Sequence, residues 1–156
     1  MAGKEHNYQV SVVWTGNLGA GTEGYRAYGR DHVMSAAGKA DIAGSSDPDF
    51  LGDAARWNPE EMLVGSLSSC HMLWYLHLCA TEGVSVLSYA DAAAGVMTED
   101  ASGGGQFALV VLHPVVRVRA GDDRVLAKAL HERAQEMCFI ARSVNFPVTC
   151  EAEIAE

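Results

Sequence analysis

Residues 8–14 alternate toward the apolar, with Val10, Val12 and Val13 supplying the β-branched content of a strand, and Thr15-Gly16-Asn17-Leu18-Gly19-Ala20-Gly21 breaks it. A second strand is expected over 31–37. Periodicity then disappears from 42 to 55, where Gly44-Ser45-Ser46-Asp47-Pro48-Asp49 is turn chemistry, so this stretch reads as a surface loop. At Asn58-Pro59-Glu60-Glu61 the start signals of a helix coincide: Asn as N-cap, Pro at the first helical position, acids in the first turn and Glu61 placed for a capping box. The helix should run over 59–82, apolar on nearly all sides through Leu63, Leu67, Met72, Leu73, Trp74, Leu76 and Leu78, with Gly83 as its stop. Such a helix is buried.

Residues 84–97 and 106–119 read as long strands joined through Ser102-Gly103-Gly104-Gly105 into a β-hairpin, with Pro114 marking an edge or a bulge. Asp122 or Asp123 can cap a second helix, whose Leu126, Leu130, Ala134, Met137, Cys138 and Ala141 keep helical spacing. It should end near Ser143, ahead of Pro147 and a last strand over 148–154. The order β-β-α-β-β-α-β predicts an α+β fold in which two buried helices pack against antiparallel sheet, as a single domain over 1–156 with no internal repeat.

A chain of 156 residues can bury a real core without staples. Its net charge of −9, from 20 acidic and 11 basic residues with no basic cluster, argues against nucleic acid and anionic membrane as partners and toward a neutral or apolar substrate. No signal-like N-terminal region and no bilayer-length apolar run is present, so a cytoplasmic location is expected. Four cysteines are too few for a disulfide scaffold, and in a reducing compartment a bond between any two would be transient and catalytic.

Cys70 and Cys138 fall in different helical stretches, and packed helices can bring two such side chains within disulfide reach. Cys79, nine positions beyond Cys70 on the same helix, points the other way. Spacing alone gives equal weight to the plainer reading, in which all four cysteines are small buried hydrophobes. His71 and His77 raise the question of a metal, but the chain has no Cys-x-x-Cys or His-x-x-x-His pair, and no metal is expected. Trp57, Trp74, Phe139 and Phe146 are candidates for an apolar wall beside the thiols or simply for core.

The run Asn58-Pro59-Glu60-Glu61-Met62-Leu63, followed on the same helix by Cys70-His71-Met72, resembles the OsmC/Ohr family of thiol peroxidases. Ala134-Gln135-Glu136-Met137-Cys138 resembles that family's second-cysteine helix, and Gly29-Arg30-Asp31-His32-Val33 its Gly-Arg-Asp stretch. The resemblance implies an OsmC-like fold in an intertwined homodimer, with Cys70 the peroxidatic thiol, Cys138 the resolving thiol, Arg30 the cation beside the thiolate and Glu60 the carboxylate that holds the arginine. Arg26 is the rival to Arg30, and Glu60 also reads as an ordinary first-turn acid. It further implies organic hydroperoxides as substrates, a dithiol such as dihydrolipoamide as reductant, and no cofactor.

Two positions depart from the family pattern: His71 follows the first cysteine where an aromatic is common, and Phe139-Ile140 replaces a common Pro after the second. Along an unbroken helix Glu60 and Cys70 are about 15 Å apart. The carboxylate is therefore expected to face the thiol of a second chain, and Gly65-Ser66 with Ser68-Ser69 would let another helix approach closely. Two rivals stand beside the peroxidase: a non-enzymatic ligand-binding or redox-sensing module, and an acyl-transfer site using Cys70 with His71 or His131.

Overall fold

The computed structural model describes residues 3–155. They divide into two compact units, one up to Met62 and one from Leu63, with the boundary inside the first helix, α1 (Pro59–Glu82).

In the N-terminal unit, β1 (Ser11–Trp14), β2 (His32–Ser35) and β3 (Ile42–Gly44) form an antiparallel sheet in that order. Trp14 lies opposite His32 and Ser11 opposite Ser35. Gly16 and Gly29 close the base of this pair: Gly29 N–H donates to Gly16 O at 2.8 Å, and a Cβ on Gly16 would stand 1.9 Å from Gly29 O. All four residues of β1 are exposed, Val12 at 59% and Val13 at 56%.

β3 corrects the expectation of one irregular loop over 42–55. Ile42, Ala43 and Gly44 pair with Met34, Val33 and His32, and Gly44 also bridges to Trp57, whose carbonyl accepts the Ser45 N–H at 2.9 Å. The pairing is made with distant residues, so local turn chemistry does not reveal it. The rest behaves as read: Asp47 caps a single 3-10 turn, Pro48–Phe50, which ends on Leu51 in the left-handed region at φ 63°.

α1 starts where its signals place it. Glu61 N–H donates to Asn58 Oδ1 at 2.8 Å and Asn58 N–H donates to Glu61 Oε2 at 3.3 Å, the reciprocal capping box.

In the C-terminal unit each long strand of the sequence reading is two strands. β4 (Val86–Asp91) and β5 (Ala94–Glu99) replace the first, and β6 (Gly105–Leu112) and β7 (Pro114–Val118) the second. β8 (Val148–Cys150) and β9 (Glu153–Ala155) replace the last. One member of each pair joins the sheet β4-β7-β9 and the other β5-β6-β8. The breaks lie at one level, where Asp91 Oδ1 accepts the His113 N–H at 2.7 Å, His113 Nδ1 stands 3.5 Å from Glu151 Oε2, and Glu151 N–H donates to Leu112 O at 2.8 Å. Pro114, fully buried, has no N–H to continue the ladder across that level. The β5–β6 hairpin forms as expected, whereas β8 and β9 pair in parallel with β6 and β7, so both sheets are mixed.

α2 (Arg124–Met137) is capped by Asp123, whose side chain accepts from the Val125 and Leu126 N–H groups. Asp122 instead accepts the Ser85 N–H at 2.6 Å. The helix stops short of Ser143: Cys138 is extended, at φ −65° and ψ 110°, and a separate 3-10 turn, Ala141–Ser143, follows.

The α+β class holds, with two helices packed on sheet. One core joins Tyr75, Leu78 and Cys79 of α1 to Ala127, Leu130 and Ala134 of α2 over Val116 and Val118 of β7. A second gathers Leu67, Phe107, Val110 and Leu112.

Candidate functional site

Ser66 and Ser69 turn their hydroxyls back onto α1, to Leu63 O at 2.9 Å and Ser66 O at 3.2 Å, which leaves a helix face of small groups around a partly exposed Cys70. Cys138, as the C-cap of α2, is 1% exposed, and its Sγ accepts the Ala141 N–H at 3.4 Å. Burial pushes the Cys138 thiol up to about 11; the amides of Ala141 and Ile140 pull partly back, and the neighbouring Cys70 side chain adds to the rise. Both cysteines are free thiols.

Arg30, Arg26 and Glu60 belong to the N-terminal unit. The Arg30 guanidinium donates to Tyr28 O at 2.5 Å and Tyr25 O at 2.6 Å, and its carbon lies 4.0 Å and 4.6 Å from the ring centres of Tyr28 and Tyr25. The arginine is thus pre-organised by its own segment, charged and without a carboxylate partner among the described residues. Glu60 Oε2 is buried with no hydrogen-bond partner. A carboxylate oxygen left so is costly, and a cation would remove the cost.

The four aromatics do not form one wall. Phe139 stands edge-on to Trp74 at 5.5 Å and is 64% exposed beside Cys138. Phe146 packs on Phe107 in the second core, and Trp57 is in the N-terminal unit.

A cluster that spacing did not reveal lies inside the C-terminal unit. His71 Nε2 and His131 Nδ1 are 3.0 Å apart, and Cys150 Sγ lies 3.6 Å from the first and 3.9 Å from the second. Burial lowers both histidines, His131 to about 3, so both rings are neutral at pH 7; Asp91 and Gln135 partly oppose the shift at His71, and His71 adds to it at His131. Burial, with Asp91 and Glu151, raises Cys150 to about 11. The members are 60, 79 and 19 residues apart in pairs and come from α1, α2 and β8, so no local motif can announce them. The inner nitrogens of both rings are taken up by each other and by Cys150.

A family model described as OsmC-like protein matches residues 52–153. Among solved structures, an OsmC-like protein of unknown function from Vibrio cholerae is 32% identical, with a TM-score of 0.85 over 95% of this chain and 99% of that one. An organic hydroperoxide resistance protein from Legionella pneumophila is 15% identical, with a TM-score of 0.68 over 97% and 100%. The organic hydroperoxide resistance protein of Bacillus subtilis is 19% identical, with a TM-score of 0.59 over 95% and 98%. These last two show likeness of fold. No protein with a curated description matches the chain.

Proposed function

Because this chain belongs to the OsmC-like protein family, we propose that it is a cysteine-based peroxidase that reduces organic hydroperoxides to alcohols. The observation that supports the reading is the presence of two free thiols of unequal exposure, a partly exposed Cys70 on α1 and a buried Cys138 at the C-cap of α2.

Cys70, as thiolate, attacks the distal peroxide oxygen; the O–O bond breaks, the alkoxide leaves and takes a proton as alcohol, and Cys70 becomes a sulfenic acid. The Cys138 sulfur then attacks the Cys70 sulfur, hydroxide leaves with the Cys138 proton as water, and a Cys70–Cys138 disulfide remains. A dithiol donor, dihydrolipoamide in this proposal, reduces that disulfide and is itself oxidised to the cyclic disulfide. Arg30 serves as the cation beside the Cys70 thiolate, Arg26 being its rival, and Glu60 holds the arginine. The unpaired Glu60 oxygen and the guanidinium without a carboxylate support this pairing.

The site is assembled in a homodimer in this proposal. Val12 and Trp14, exposed on one face of β1, support it, with Val13 exposed on the other, since an apolar sheet face of this kind suits a second chain. Phe139, exposed next to Cys138, would receive the organic part of the peroxide. No helix among the described residues is long and apolar enough to cross a membrane; a cytoplasmic location remains part of the proposal.

The test is turnover. With dihydrolipoamide supplied, the protein should consume cumene hydroperoxide catalytically and faster than hydrogen peroxide. Stoichiometric loss without turnover, or no preference for the organic peroxide, would favour a sensing or ligand-binding module instead.

A further inference from the structure

Outside the thiol pair, three donor atoms from three elements converge in the C-terminal unit: His71 Nε2, His131 Nδ1 and Cys150 Sγ, all within 4.8 Å of one another. A tetrahedral Zn2+ with bonds of about 2.0–2.1 Å to nitrogen and about 2.3 Å to sulfur sets its ligand atoms about 3.3 Å (N to N) and about 3.6 Å (N to S) apart. The separations here are 3.0, 3.6 and 3.9 Å, close to the edges of that tetrahedron.

Proton counting points the same way. Each imidazole carries at least one N–H proton, and only one proton can lie in the shared Nε2 to Nδ1 contact. The other must sit on an outer nitrogen, yet His71 Nδ1 and His131 Nε2 are both buried without a partner, in rings that are 0% and 4% exposed. A hydrogen-bonded pair therefore leaves one buried proton without an acceptor and one buried lone pair without a donor. Metal coordination uses both inner lone pairs and sends both protons outward.

Gln135 is ready for one of them. Its amide N–H is fastened to Val148 O at 2.8 Å, and its side chain stands beside His71 closely enough to favour the protonated ring. Its own Oε1 is buried and unbonded. Gln135 Oε1 turned onto His71 Nδ1–H would supply the outer-partner arrangement that fixes the tautomer of a metal-bound histidine. On the other ring, Tyr75 stacks on His131 at 3.8 Å and 13° and holds its plane.

We propose that His71, His131 and Cys150 are three ligands of a Zn2+ ion bound between α1, α2 and β8. Two imidazoles and a thiolate suit a borderline-soft cation, and the thiolate together with nearby Asp91 balances its charge. The inference stands apart from the peroxidase reading, because none of its ligands is Cys70 or Cys138.

The test titrates the reduced, metal-stripped protein with Zn2+ against a chromophoric chelator and follows alkylation of each cysteine by mass spectrometry. One Zn2+ should bind per chain, and Cys150→Ser should weaken it by at least about a hundredfold. The Cys70→Ser/Cys138→Ser double variant should bind as the wild type does. Where Cys150→Ser fails to fold, the wild-type protein still decides: Zn2+ should protect Cys150 from alkylation and leave Cys70 unprotected. No binding, or binding and protection that follow Cys70 and Cys138, would overturn the assignment.

Discussion

Raising the pH in the presence of iodoacetamide separates the two thiol roles, because only the thiolate alkylates. Burial holds the Cys138 thiol at about 11 against an ordinary 9.0. At pH 8 an ordinary thiol is about a tenth ionised, and one at about 11 only about one part in a thousand, a reactivity ratio of about 100 before access is counted. At 1% exposure, access slows Cys138 further, while Cys70 is partly open. Cys70, the more open of the two, should therefore label first, and Cys138 should lag behind an ordinary exposed thiol by about two orders of magnitude or more, its rate rising about tenfold per pH unit up to about pH 11. Peptide mapping after timed quenches reads both rates.

The same shift has a stability counterpart of fixed sign. The unfolded thiol ionises near 9.0 and the folded one near 11, so the folded state resists ionisation and loses stability as pH rises through that window. The loss from this group is roughly 3 kcal/mol, and urea unfolding should show an alkaline decline smaller by about that amount in Cys138→Ala than in the wild-type protein, the remainder coming from Cys150, which burial also raises to about 11. Comparable alkylation rates at the two cysteines at pH 8, or identical alkaline loss in both proteins, would refute the reasoning.

Further outcomes follow from the same geometry. Cys70→Ser should abolish peroxide consumption, whereas Cys138→Ser should still consume one equivalent and stop as a sulfenic acid, detected by dimedone adduct mass. Leu67→Ala, at a side chain 1% exposed in the second core, should cost about 2–5 kcal/mol in denaturant unfolding with the m-value unchanged. Gly16→Ala should cost about 3 kcal/mol, because its Cβ meets Gly29 O at 1.9 Å and neither backbone can yield without breaking the Gly29 to Gly16 hydrogen bond; thermal unfolding checks it.

What the sequence made legible was local. The Asn58–Glu61 capping box lies within four residues, and both limits of α1 could be read from it and from Gly83. The strand breaks near Asp91, His113 and Glu151 depend on three segments aligning at one level, which no single segment records. β3 escaped notice because its partners are His32–Met34 and Trp57 rather than its neighbours in sequence. Apolar spacing continues through Ala141 and so predicts a longer α2, while the chain turns extended at Cys138 and its sulfur takes the Ala141 amide. At the candidate site, the two thiols are legible as residues, and their burial, partial at Cys70 and nearly complete at Cys138, is a product of folding. The His71, His131 and Cys150 cluster had no signal at all, since each member alone resembles an ordinary core residue.

The most direct test of the central claim treats the fully reduced protein with one equivalent of cumene hydroperoxide, counts free thiols and maps disulfides by mass spectrometry. The account predicts rapid loss of two thiols and a single Cys70–Cys138 bond within one chain. Four surviving thiols, or a disulfide that uses Cys79 or Cys150, would contradict it.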